Sequence, residues 1–378
     1  AARGPRRPLR LVWIVVDSLR ADRLAGGGYH RTLTPNLDAF AARSVVFSQA
    51  RSQSDNTSES FPSFLGSQYP SYFLGVPPEP QLNHTMASVL AGQGYRTGVV
   101  TPIRLIPEYA LAGFDVAKQD ISHRHSFVYG VTSVPVTVSA EELLRQWHSD
   151  PFFLLVHYYD PHGAYIPHER FYFGSSSEDA YDSEVAYTDH FLGKLLALLE
   201  ENGFLDDTIV VIHADHGDSF GEHGNVAHGG SLFDEVVHVP LLLYVPGVAP
   251  RRVDEPVGLV DVMPTLLNIM GHPDPGRLQG RSLRALLEGG TLPRRPVFFE
   301  SNYPGNLLYG VYDEGHKLLW DVKSDAFAMF DVAADPLELT NRVSASAEQR
   351  DRLMGILNGF RDAYLHAPLF RGPLRDGD

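Results

Sequence analysis

The sequence predicts an α/β fold: a mostly parallel sheet covered by helices on both faces, followed by a small antiparallel sheet with a helix. Three observations carry that expectation. The runs at 9–16 and 208–214 are apolar and β-branched, as strands buried on both faces are, and they lead into Asp17 and Asp215. Up to about Gly271, apolar strand-like runs alternate with helical segments, the pattern of parallel strands joined by crossover helices. From about Pro296 the texture changes to short strands separated by Gly, Asp and Ser turns.

Along the chain, residues 36–42 read as a short helix and residues 98–101 and 152–157 as strands. Residues 177–201 read as a long amphipathic helix carrying apolar Tyr181, Val185, Phe191, Leu195 and Leu199, stopped at Asn202-Gly203. Residues 241–245 are another buried strand, ended by Pro246-Gly247. Short strands at 297–300, 307–313, 317–321 and 327–331 precede a helix over 348–364. The division expected is a catalytic α/β unit at 1–290 and a smaller unit at 291–378 packed on it, joined around 277–295.

With 378 residues, 43% hydrophobic and 20% charged, the chain has ample material for a packed core. A net charge of −15 argues against a nucleic-acid surface, although a bound cation can reverse the sign locally. The absence of cysteine excludes disulfides, a thiolate zinc site and a Cys nucleophile. No apolar run approaches the roughly 20 residues of a membrane span. Residues 1–8 are basic and lack a signal-peptide core, so a soluble piece of a longer, membrane-tethered protein is one expectation.

In open α/β sheets, ligands bind beyond the carboxyl ends of the strands. Asp17 and Asp215 end two such strands and His216 follows directly, so two carboxylates and an imidazole reach one edge. That set suits a divalent cation, Zn2+ or Mn2+ more readily than Ca2+. Thr57 marks a polar-to-apolar change at or near a helix N-terminus. Alone it reads as an N-cap, but a helix N-terminus also holds an anion well beside a nucleophile.

Motifs along nearly the whole chain resemble the sulfatase and alkaline phosphatase superfamily. Val15-Val16-Asp17 looks like its first metal-binding strand. Thr34-Pro-Asn-Leu-Asp38, Gly94-Tyr95, His157-Tyr-Tyr-Asp160-Pro-His162, Ala214-Asp215-His216-Gly217, Asp261-Val-Met-Pro264-Thr265-Leu266 and Phe330-Asp331 through Asn341 follow in the family's order. Anchoring on Tyr69-Pro70 aligns Thr57 with the family nucleophile and Ser60 with the motif's serine, a frame similar to that of phosphoethanolamine and phosphoglycerol transferases. The resemblance implies a metal site of Asp17, Thr57, Asp215 and His216. It implies catalytic roles for Thr57, His162 and His228, and substrate binding by His157, Asp160, Arg104 and Ser60.

The departures shape the expected activity. Sulfatases need formylglycine, made from Cys or Ser, and threonine cannot yield it. The family's second aspartate is Ser18, its Lys-x-His segment is absent, leaving only Arg104 to supply charge there, and His228 stands where sulfatases have Lys. The expectation is therefore a metal-dependent hydrolase or transferase of phosphate esters, acting through phospho-Thr57. A sulfatase using a modified Ser60, or an inactive binding protein, are the alternatives. The expected partners are small-molecule, lipid-headgroup or glycan esters, and the expected location is extracytoplasmic. His213, His223 and His238 read as structural, and Glu222 as shaping its loop.

Overall fold

The computed structural model describes residues 8–74, 82–119, 131–303 and 307–365. The basic opening segment 1–7 lies outside the described residues. An eight-stranded sheet forms the centre. Its strands in chain order are β1 (Arg10–Val16), β2 (Val45–Phe47), β3 (Arg96–Val100), β4 (Val116–Lys118), β5 (Phe152–Tyr158), β6 (Thr208–His213), β7 (Leu241–Tyr244) and β8 (Arg251–Val253). Their spatial order is β8-β2-β7-β6-β1-β5-β3-β4. β1 lies in the middle, parallel to β5 and β6, and every residue of these three strands is buried. That burial accounts for their continuous apolar sequences. β7 alone runs antiparallel to its neighbours β6 and β2.

Helices cover both faces. Alternate residues of a strand point to opposite sides. On one side Trp13 and His157 meet Phe64 and Phe61 of α2 (Thr57–Gly66). On the other, the Tyr158 hydroxyl lies 2.9 Å from Thr137 Oγ1 of α4 (Ser133–Gln146). α4 packs beside α5 (Ser177–Glu201), whose other neighbour is α1 (Pro35–Ala41). The helices at 86–92 (α3) and 262–270 (α6) accompany α2. α5 begins at a capping box between Ser176 and Asp179 and spans the residues its periodicity predicts.

After the main sheet come four antiparallel strands, β9 (Val297–Ser301), β10 (Leu308–Asp313), β11 (His316–Asp321) and β12 (Ala326–Asp331), then α7 (Ala347–Leu365). A buried charge network ties this sheet to the 214–240 loop and to Arg51 in the segment before α2. Lys317 on β11 lies 2.8 Å from Asp234 and 3.0 Å from Glu338, and Asp234 also takes Arg51 at 2.7 Å. Among the described residues no helix is long and apolar enough to cross a membrane.

Candidate active site

Sheet register builds the site. The pairing of β1 with both β5 and β6 brings the residues after three strands to one edge. Asp17, Asp215 and His216 present ligand atoms within 4.8 Å of one another, all fully buried. Thr57 joins them from the first turn of α2. Its Oγ1 lies 3.3 Å from Asp17 Oδ2 and 3.2 Å from His216 Nε2. Thr57 is the first helical residue rather than the cap. Asn56 caps the helix, its side chain accepting from the Glu59 amide at 3.1 Å, so the Thr57 hydroxyl is not engaged in capping.

The neighbours set the orientation of each ligand. His216 Nδ1 donates to the Gly217 carbonyl at 2.9 Å, which turns the Nε2 lone pair toward Thr57. Ser18 sits at φ 57, a left-handed conformation costly for serine. It there donates its hydroxyl to Asp17 at 2.9 Å and its amide to Asp215 Oδ1 at 3.3 Å. Ser18 thus orients both carboxylates.

The charges are unbalanced. Burial, then the Asp17 charge, pushes the Asp215 carboxyl up to about 7. Burial opposes ionisation of Asp17 too. The hydrogen bond from His157 and the nearby His162 and His216 outweigh it and hold Asp17 well below the usual carboxylate range. Burial, then His228, lowers His216 to about 4, so its imidazole is neutral and free to ligate. Asp215 Oδ2 is buried with no hydrogen-bond partner among the described residues. Two carboxylates, a neutral imidazole and a hydroxyl around an orphaned buried oxygen fit a divalent cation.

At the mouth stand two imidazoles. The His228 ring lies 4.2 Å from that of His216 and 4.8 Å from that of His162. His162 stacks on Tyr159, whose hydroxyl is 2.9 Å from its Nδ1. Burial lowers the His162 pKa, with His228 adding to the effect. His228 moves the other way. Its burial is outweighed by Asp218, whose Oδ1 lies 3.4 Å from Nδ1. Asp218 is itself held by the Tyr165 hydroxyl and the Ser219 amide. Asp218 and Tyr165 carry no mark in the sequence beyond lying near the motifs.

The four expected substrate contacts lie as follows. His157 is fully buried beneath the cluster, with Nε2 3.0 Å from Asp17 Oδ2 and Nδ1 2.9 Å from Thr101 Oγ1; it orients a ligand. Asp160 accepts from the Thr132 amide at 2.6 Å, the Thr132 hydroxyl at 2.5 Å and the Ser133 amide at 2.8 Å, so its carboxylate closes the N-terminus of α4. Arg104 is exposed on the loop after β3, and no ion pair or hydrogen bond ties it to the cluster among the described residues. Ser60 is buried, donating to the Ser54 carbonyl at 3.2 Å and lying 3.0 Å from Ser52 Oγ. Among the remaining histidines, His213 accepts from the Trp13 indole at 2.6 Å, His223 lies 2.9 Å from Glu235 and His238 lies 2.9 Å from the Ser48 carbonyl. Glu222 pairs with Arg20 and accepts from the Phe220 amide at 2.5 Å.

The Sulfatase family profile matches residues 10–272, and the profile for the N-sulphoglucosamine sulphohydrolase C-terminal region matches residues 221–357. The chain is similar to an arylsulfatase of Clostridium perfringens, 25% identical over 91% of this chain and 92% of that protein. It is also similar to a choline-sulfatase of Rhizobium meliloti, 32% identical over 49% of this chain and 36% of that relative. Among solved structures, one in complex with its substrate D-glucosamine-2-N,6-O-disulfate superposes with a TM-score of 0.82 at 19% identity, over 97% of this chain and 100% of that one. The phosphonate monoester hydrolase of Agrobacterium radiobacter gives 0.76 at 20% identity, over 94% and 96%. A sulfatase profile that runs from β1 through α6 takes in all four residues of the cluster, and the chain belongs to the sulfatase family of ester hydrolases.

Proposed function

We propose that this member hydrolyses a phosphate ester through a covalent phospho-threonine at Thr57. One observation carries the reading: the Thr57 hydroxyl lies among Asp17 and His216, whereas the Ser60 hydroxyl is bonded to Ser52 and the Ser54 carbonyl. Asp17, Asp215, His216 and Thr57 would hold the divalent cation. When bound, it supplies Lewis acidity that lowers the pKa of a coordinated hydroxyl and offsets negative charge. The Thr57 hydroxyl gives its proton to solvent, its oxygen forms a bond to phosphorus, and the bond from phosphorus to the alcohol oxygen breaks. His228 and His162 stand at the mouth, where one can donate the proton the departing alkoxide needs, a contribution of roughly a hundredfold or more. Water, or an acceptor hydroxyl, then cleaves the threonine ester.

A second reading is sulfate-ester hydrolysis at an oxidised Ser60, favoured by relatives that bear sulfatase names. Thr57→Ala separates the two. The expected result is loss of turnover with an unchanged melting temperature to within the effect of one small side chain, partial activity in Thr57→Ser and near-native activity in Ser60→Ala. Mass spectrometry of enzyme quenched during turnover should find the added mass on Thr57. Retained activity in Thr57→Ala, with an aldehyde at position 60, would reverse the assignment.

A further inference from the structure

The C-terminal sheet approaches the active site at the end of β9. Where β9 ends, its backbone is stitched to the segment that leads into α2. The Glu300 amide donates to the Gln53 carbonyl at 2.9 Å, and the Asn302 amide donates to Glu59 Oε1 at 3.2 Å. Tyr303 follows directly. Its ring lies on Gly229, so close that a Cβ built there would stand 3.0 Å from Cδ2 and Cε2. Gly229 also adopts φ +82, which a side chain would resist. It is the residue after His228, and its loop is fixed by donating to Asp55, from the Gly229 amide at 3.2 Å and the Ser231 amide at 2.9 Å.

One side of the Tyr303 ring is thus packed on the residue that follows His228, yet Tyr303 is 51% exposed. The other tyrosines of the mouth have their hydroxyls engaged, Tyr159 by His162 and Tyr165 by Asp218. Aromatic faces bury large apolar area and favour stacked partners, while the tyrosine hydroxyl stays wet. An ester held at Thr57 whose alcohol portion extended toward Gly229 would pass this ring. A small acyclic alcohol leaves the ring uncovered. A pyranose covers it with the apolar C–H face of the sugar.

We propose that Tyr303 is a specificity-determining platform that stacks on the sugar ring of a pyranose ester. The proposal deepens the phosphate-ester reading and rests on its site, but it concerns the alcohol portion and holds for a phosphate or a sulfate ester. The test is calorimetric binding to the full chain carrying Thr57→Ala, loaded with Mn2+. The probes are N-acetylglucosamine 6-phosphate and 6-sulfate set against ethyl phosphate and ethyl sulfate. The ring-bearing probe should bind more tightly than its acyclic counterpart in at least one pair, and adding Tyr303→Ala should reduce that ratio about tenfold. Tyr303→Phe and Tyr303→Trp should preserve it. A ratio near one before the change, a ratio unaffected by Tyr303→Ala, or a ratio lost equally in the Phe variant overturns the proposal. Failure of the phospho-threonine reading has a different signature: unlabelled Thr57 in turnover, with the ratio intact.

Discussion

Asp218 is the residue whose surroundings say most about how the mouth works. It is fully buried, with Tyr165 on Oδ2, the Ser219 amide on Oδ1 and Arg20 on its backbone carbonyl at 3.0 Å. A carboxylate held this firmly behind an imidazole fixes the ring's direction and favours its protonated form. Asp218→Asn keeps the shape and removes the charge. Turnover of alkyl esters should fall about ten- to a hundredfold, and that of nitrophenyl esters, whose leaving group needs no proton, should fall much less. A leaving-group series measures the difference, and an equal loss across the series would assign Asp218 a purely structural role. Asp17 and Asp215-His216 are legible because a buried strand that ends in a charged group is conspicuous. Asp218 is not, since it meets His228 only after the intervening loop has folded back. The contact of His157 is hidden for a related reason: its partner Asp17 sits across the β1–β5 register, invisible from either strand alone.

Among the elements, α4 is one that the sequence conceals. It opens with Ser133-Val-Pro-Val-Thr-Val138, where β-branched residues favour extended chain and Pro135 reads as a breaker. In the structure that proline falls in the first turn, where a missing amide is harmless. The Asp160 carboxylate supplies the acceptors that the helix start requires. Asp160→Ala should therefore lower stability by about 1–2 kcal/mol, seen as a drop in melting temperature, because the first amides of α4 lose a buried anionic partner. Asp160→Asn should recover part of the loss. By contrast, α5 and β9 to β12 are legible from their periodicity and turns, since each needs no distant residue to begin or end.

At the scale of the whole molecule, the two sheets are held together by buried polar groups as well as by apolar packing. Glu300 is fully buried on β9 and accepts from the Ser71 amide at 2.9 Å and hydroxyl at 3.0 Å. Burial pushes its carboxyl up to about 8 from an ordinary 4.5. Between those values the folded chain holds a proton that the unfolded chain releases, so stability falls as pH rises through that window. Glu300→Gln should flatten the decline, checked by urea midpoints of both proteins from pH 5 to about 8.5. The reversed strand β7 has a different consequence. Leu241 pairs with His213, so β6 is left and β7 is entered on the same edge of the sheet. Residues 214–240 form an excursion with no crossing to make, and lengthening such a loop costs only about 0.6 kcal/mol per doubling. Asp218 and His228 travel on that excursion, while Asp17 stays anchored to the central strand. The part of the excursion beyond Asp215-His216 can be exchanged as a cassette, altering which leaving groups are accepted, without re-registering a single strand.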